Sequence, residues 1–212
     1  MKWWRLIILG IISLKLNMEV RRMERETNIY DYIQEVSKID EKDRRAISKE
    51  LSKYSKDELL FMLPIITNES NFNKFAIGDN GNSIGLGQIS IYKGENNDKT
   101  STMEMIILNN PQSGYNFNFL YELQKYKNGE LDSCKLFDIK VQLKLISDYI
   151  KMIKLKIIKS TDNYIEPTLK NISYLYNAGI NSNIDNINIW LSNYNYYDNV
   201  TYYYMILTKN FL

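Results

Sequence analysis

Apolar residues recur along most of this chain at the spacing of amphipathic helices. Leu59, Met62, Leu63 and Ile66 share one helical face, behind Ser55-Lys56-Asp57-Glu58, which has the form of a capping box. Pro64 interrupts that ladder, so the spacing predicts a kink there or a helix that restarts at Pro64. Ile139, Leu143, Ile146, Ile150, Ile153 and Ile157 form a second stripe, with Asp138 placed to cap its N-terminus. Lys140, Lys144, Lys151 and Lys154 lie off that stripe, on a face expected to be solvated. A third helix is expected through Leu169 to Tyr176, ended by Asn177-Ala178-Gly179 with Gly179 as a left-handed cap. The segment Trp190 to Leu212 is rich in tyrosine and expected to be helical after Asp198. Residues 19–54 are charged and helix-prone, with Ile29, Tyr32, Ile33, Val36 and Ile39 apolar, and read as an amphipathic arm. Strand alternation and internal repeats are missing. The fold class expected is mostly α.

The N-terminus breaks the amphipathic rule. Lys2 and Arg5 precede an unbroken, almost wholly apolar run from Leu6 to Leu14, the form of the first two regions of a secretory signal. The run is shorter than the roughly 20 residues of a comfortable membrane span. Lys15, Leu16, Asn17 and Met18 follow it, which is not a small-x-small cleavage site. Residues 1–18 are therefore expected to be a signal or membrane-anchor segment. The alternative is an apolar helix that packs on the domain.

Composition narrows the chemistry. With 212 residues, 44% hydrophobic content and a net charge of +2, the chain is globular and carries no charge argument for nucleic acid. It has no histidine, which removes Ser-His and Cys-His nucleophile systems and the common zinc sites. Cys134 is the single cysteine, so there is no internal disulfide. No metal or other cofactor is expected. Any catalysis must come from carboxylates, tyrosine, lysine or the backbone. The 17 tyrosines and 3 tryptophans suit a core and equally a sugar or peptide groove.

One stretch stands apart, ESNFNKFAIGDNGNSIGLGQI, from Glu69 to Ile89. Continuing the stripe of the 55–66 helix places Glu69 and Ser70 on its inward face near its end. A carboxyl there loses solvation unless it is protonated or hydrogen-bonded, so its pKa rises and it can donate a proton near neutral pH. A capping or ion-paired glutamate is the alternative from position alone. After Ile77 the periodicity stops. Gly78, Gly81, Gly85 and Gly87 with Asp79, Asn80 and Asn82 make a loop that tolerates positive φ and brings backbone close to a ligand. A calcium loop at Asp79 is excluded because its twelfth position is Ser90 rather than glutamate.

These residues resemble the lytic transglycosylase catalytic domain, a lysozyme-like helical fold shared with goose-type lysozymes. Glu69-Ser70-Asn71-Phe72, Ala76-Ile77-Gly78 and Gly81 to Ile89 are similar to its E-S-x-F, A-x-G and G-x-x-x-G-L-x-Q-I signature. Leu175-Tyr176-Asn177-Ala178-Gly179 resembles its Ala-Tyr-Asn-Ala-Gly motif. Leu136-Phe137-Asp138-Ile139 with Leu143 to Tyr149 looks like its L-x-D-P…N-I…G…Y-L helix, and Asp198 to Tyr202 is similar to its E-T-x-x-Y-V element. The four motifs occur in family order over about 58–90 and 136–206.

The resemblance implies a mechanism. Glu69 would protonate the glycosidic oxygen between N-acetylmuramic acid and N-acetylglucosamine. It would then take the proton of the muramoyl 6-hydroxyl as that oxygen attacks C1, giving a 1,6-anhydro sugar. The substrate's acetamido group supports the oxocarbenium-like state, so one carboxylate suffices where most glycosidases need two. By carry-over, Ser70 meets sugar, Ser83 and Gln88 hydrogen-bond sugar or position Glu69, Tyr176 and Asn177 line the cleft facing it, and Tyr202 helps to fix its carboxyl. Gln88 bonding only backbone, Asn177 ending its helix and Tyr202 as a core ring are the alternatives. The expected partner is the peptidoglycan glycan strand, in the bacterial cell envelope on the periplasmic or extracytoplasmic side. The N-terminus adds membrane association as a candidate, and an envelope-spanning assembly is another.

The departures are specific. Gly87 stands where the family often has Met, which removes one apolar wall of a sugar subsite. The loop from Gly81 to Gly85 is one residue longer than the common form. Asp198 and Asn199 replace Glu and Thr. The chain divides into 1–18, the helical arm 19–54, and a domain at 55–212 with a divergent insertion at about 91–135. The aromatics Tyr115, Phe117, Phe119 and Tyr121 of that insertion would extend the cleft or meet a partner. Two rivals stand: an inverting lysozyme-type hydrolase that uses Glu69 with Asp79, and a non-catalytic peptidoglycan-binding relative.

Overall fold

The computed structural model describes residues 2–92, 101–111, 114–115, 117–159, 167–188 and 195–211. Among them are eight α-helices: α1 (Lys2–Val36), α2 (Glu41–Leu51), α3 (Lys56–Ser70), α4 (Thr102–Asn109), α5 (Phe119–Lys127), α6 (Ile139–Lys159), α7 (Leu169–Ala178) and α8 (Tyr196–Phe211). The chain is mostly α, as the apolar spacing predicts. Trp190, where the tyrosine-rich segment opens, lies outside the described residues, and α8 already begins two residues before Asp198.

Local chemistry sets the helix ends. The Ser55 hydroxyl accepts from the Glu58 N–H while the Glu58 carboxylate accepts from the Ser55 N–H, a complete capping box at the start of α3. Asp138 accepts from the N–H groups of Lys140 and Val141 and opens α6. Helix α3 runs through Pro64 as one element rather than restarting there. Pro64 is buried, so packing on both sides of it outweighs the one ladder bond it cannot make. Gly179 ends α7 at φ 91° and ψ 144°, an extended positive-φ conformation and not the left-handed cap expected.

Buried side chains from nearly every helix form one core. Helix α3 is its axis: Leu59, Met62, Leu63, Ile65 and Ile66 are fully buried. It packs chiefly against α8, with α6 and α7 alongside. The α6 stripe is buried from Leu143 to Ile157, while Lys151 pairs with Glu58 at 3.0 Å and Lys154 covers the Phe61 ring.

Two expectations need correction. Residues 19–54 do not form a separate arm. Ile29, Tyr32 and Ile33 of α1 and Ile47 and Leu51 of α2 are fully buried in the common core, and the Tyr32 hydroxyl pairs with Thr67 of α3 at 2.9 Å. The amphipathic pattern was real, but the face it buries belongs to the domain. The glycine loop is also not without strands. Ile77–Gly78 (β1), Ser83–Ile84 (β2) and Ile89–Ser90 (β3) form an antiparallel sheet in the order β1-β2-β3, with Ile77 opposite Ile84 and Ile84 opposite Ile89. Strands of two residues are too short to show alternation in a sequence.

Candidate active site

Glu69 occupies the last turn of α3, one residue before the helix ends. The chain then turns through two left-handed residues, Asn71 (φ 52°) and Phe72 (φ 62°). Positive φ is costly for a large side chain. Burial of the Phe72 ring against Tyr32, 6.2 Å away edge-on, holds it there. The Ser37 hydroxyl, just past α1, donates to the Asn71 carbonyl at 2.7 Å and ties down the same turn.

A cleft of about 370 Å³ opens beside this turn. It is lined by Glu69, by Asp79, Ser83 and Gln88 of the glycine loop, by Thr102 at the start of α4, by Tyr149 of α6, and by Tyr176 and Asn177 of α7. A larger cavity of about 470 Å³ lies between α2 and the start of α6, but no residue singled out for chemistry lines it. Among the described residues no group of three or more Cys, Asp or Glu could hold a metal ion.

The electrostatics of Glu69 match its position. Loss of solvation is the main cause of a pKa raised to about 7. A hydrogen bond from the Tyr196 hydroxyl to Glu69 Oε1 acts in the opposite direction, and the negative charge of Asp79 adds to the rise. Near neutral pH this carboxyl therefore exchanges a proton readily, as a general acid must. Burial and the nearby Glu69 charge push Tyr196 and Tyr176 well above the usual phenol range, so both stay protonated as hydrogen-bond donors.

The residue that holds the carboxyl is Tyr196, at the first position of α8, and not Tyr202. Tyr202 is 57% exposed and meets the Tyr203 ring edge-on. Six residues carry the chain about 1.7 turns from Tyr196 to Tyr202, so the two rings leave different sides of α8. The tyrosine-rich run offers several rings, and nothing in its spacing selects Tyr196.

Several polar groups expected to meet sugar are engaged by the protein. Ser70 lies outside the cleft lining and donates to the Leu86 carbonyl at 2.8 Å, which ties α3 to the loop. Ser83 is buried and donates to Asp79 Oδ2 at 2.6 Å. Gln88 Nε2 donates to the carbonyls of Ala76 (3.1 Å) and Gly85 (3.0 Å), so both of its N–H groups serve the backbone. Tyr176 donates to the Gly87 carbonyl at 2.9 Å and packs on Tyr149 with ring centroids 5.0 Å apart. Asn177 is exposed at the cleft rim, at the end of α7. These side chains build the wall. Glu69, Asp79 and the side-chain-free positions Gly87 and Gly179 share the lining with them.

Two features of the wall are not visible in the motifs. Gln142, buried in the first turns of α6, accepts from the Leu86 N–H and donates to the carbonyls of Lys74 and Leu136, each at 2.9 Å. A Cβ on Gly85 would come within 2.5 Å of it. Its signal in the sequence is a lone amide beside the apolar stripe. The second feature explains Gly87. A Cβ there would lie 2.5 Å from Ile146 Cγ1 and 2.5 Å from the Tyr176 hydroxyl. Ile146, fully buried on α6, packs behind Gly87, and Gly87 itself lines the cleft. In the insertion, Thr102 reaches the cleft, and Tyr126 donates to the Gly81 carbonyl at 3.1 Å. Tyr115 and Phe117 line a different cavity, with Lys135, Lys140 and Lys144.

The chain matches no family model, no curated protein and no solved structure.

Two measurements test this geometry. Gly87→Ala is expected to destabilise the fold by about 1–3 kcal/mol through overpacking. In an Ile146→Ala background the same change should cost about 1 kcal/mol less, read from denaturant midpoints; strictly additive costs would contradict the contact. The second concerns pH. Glu69 has a folded pKa of about 7 against 4.5 unfolded, so the native state binds more protons between these values. Wild-type stability should then fall by up to about 3 kcal/mol as pH rises from 4.5 through 7. Glu69→Gln should lack that fall and melt higher than wild type at pH 8, a difference that closes toward pH 4.5.

Proposed function

We propose that the chain is a peptidoglycan lytic transglycosylase with a lysozyme-like helical fold, acting outside the cytoplasmic membrane. The observation that carries this reading is the Glu69 carboxyl, desolvated to a pKa of about 7 and gripped by Tyr196 in a polar cleft. In the first step Glu69 gives its proton to the glycosidic oxygen as the bond from C1 of N-acetylmuramic acid to that oxygen breaks. In the second the ionised Glu69 takes the proton of the 6-hydroxyl, and the oxygen bonds C1. Glu69 ends as it began, no water is consumed, and the products are a 1,6-anhydromuramoyl end and a free N-acetylglucosamine 4-hydroxyl. A pKa close to working pH serves both halves, because the group must be acid and then base. Tyr196 donates throughout and fixes the carboxyl while its charge changes.

Asp79 supports a second reading. It lines the same cleft and its charge bears on Glu69, as the water-activating base of an inverting hydrolase would. Mass spectrometry of products from purified peptidoglycan separates the two. Muropeptides one water lighter than hydrolysed ones, lost in Glu69→Gln, are the expected result. Asp79→Asn should retain most of the activity, since asparagine tolerates the φ of 49° found there and can still accept from Ser83. Products with a free reducing end, abolished by Asp79→Asn, would replace the transglycosylase with a hydrolase. No products from wild type would leave a glycan-binding protein.

A further inference from the structure

Helix α1 is one unbroken element of 35 residues, but its two halves live in different surroundings. From Ile29 onward it is part of the core. Before that, every described side chain from Gly10 to Glu24 is exposed. Ile7, Ile8, Ile11, Ile12, Leu14 and Met18 are between 49% and 70% exposed. Ile7, Ile8, Ile11, Ile12, Leu14, Leu16 and Met18 lie all round this half of the helix, with Gly10, Ser13, Lys15 and Asn17 between them. An apolar surface this long, with none of the described residues covering it, needs an occupant.

We propose that this half of α1 embeds in the interface of an anionic lipid bilayer. Charge selects that occupant. Residues 1–25 hold six basic side chains against two acidic ones, in a chain whose total is only +2, so the remainder is net negative. Lys15, Arg21 and Arg22 follow the apolar run closely enough to reach lipid phosphates. A second copy of the chain fits less well. A coiled-coil seam through Trp4, Ile7, Leu14 and Met18 would last about two heptads before meeting Arg21, and it would leave Ile8 and Ile12 in water. Spanning fits less well too: among the described residues no helix is long and apolar enough to cross a membrane. A helix sunk into the boundary between headgroups and acyl chains buries apolar residues on every side of the short run and leaves Lys15, Arg21 and Arg22 at the headgroups.

The attachment would be stiff. Arg25 donates to the carbonyls of Ser52 (3.4 Å) and Tyr54 (2.6 Å), within two turns of the exposed half, and the helix continues without a break into the core. The domain would be held against the bilayer by a rod, with no flexible tether.

The test is flotation of the full chain with vesicles of phosphatidylethanolamine and phosphatidylglycerol, against vesicles of phosphatidylcholine alone. The wild type should float with the anionic vesicles, at least tenfold more than with neutral ones, and lose that binding in high salt. Ile8→Asp/Ile11→Asp should reduce the bound fraction at least tenfold while leaving the circular dichroism spectrum and thermal midpoint unchanged. Wild type that stays in the soluble fraction with anionic vesicles would overturn the proposal. So would a wild-type dimer in sedimentation velocity that the double variant dissociates, because the occupant would then be a second copy. Neither readout depends on glycan cleavage.

Discussion

Removing one carboxyl from water at the end of an apolar helix is the constraint on which the rest of this molecule depends. Glu69 continues the face that buries Met62, Leu63 and Ile66, so the same packing that stabilises α3 desolvates the acid. A carboxylate so placed carries an electrostatic penalty that grows as it ionises. The Tyr196 hydroxyl offsets part of it without adding charge. A lysine or arginine in that place would have lowered the pKa by one to three units and left a permanent anion. The choice of a neutral donor keeps the group close to neutrality, where either protonation state is within reach.

That balance requires a wall that does not compete for Glu69. The loop from Gly78 to Gln88 meets the requirement by consuming its own polar groups. Ser83 bonds Asp79, Gln88 bonds two carbonyls, and Gln142 reaches in from α6 to hold the Leu86 N–H. The three short strands then fix the register of the loop. Close approach of the Tyr176 hydroxyl and of Ile146 leaves no room for a side chain at 87, so the backbone itself faces the space beside the acid. Hydroxyls that read as ligand contacts are, in this geometry, the means by which the loop is made rigid.

What the sequence made legible follows from the range of each interaction. The capping box at Ser55, the cap at Asp138 and the stripes of α3 and α6 are set by neighbours within four residues, and their spacing reveals them. Glu69 was legible for the same reason, as an acid continuing an apolar face. Tyr196 was not, because its bond to Glu69 joins residues 127 apart and several tyrosines near it are equivalent in one dimension. The need for glycine at 87 was not legible because the Ile146 side chain packed behind it comes from a helix 59 positions away. The second half of α1 looked like an arm because amphipathicity states that a face is buried and not against what.

The two ends of the molecule's chemistry are mechanically joined. Tyr32 of α1 pairs with Thr67, two residues before Glu69, and Ser37 bonds the carbonyl of Asn71, two residues after it. Helix α1 therefore grips the acid's turn from both sides along the chain. The same helix presents the exposed apolar half. Any surface that orients the first half of α1 would orient the cleft with it, because no hinge lies between them. For the transglycosylase proposed above, a flexible linker would let the domain search many glycan strands; a rod restricts it to those at a fixed height and angle. If α1 lies in lipid, selectivity for strands near the membrane arises from geometry alone, without a dedicated recognition site.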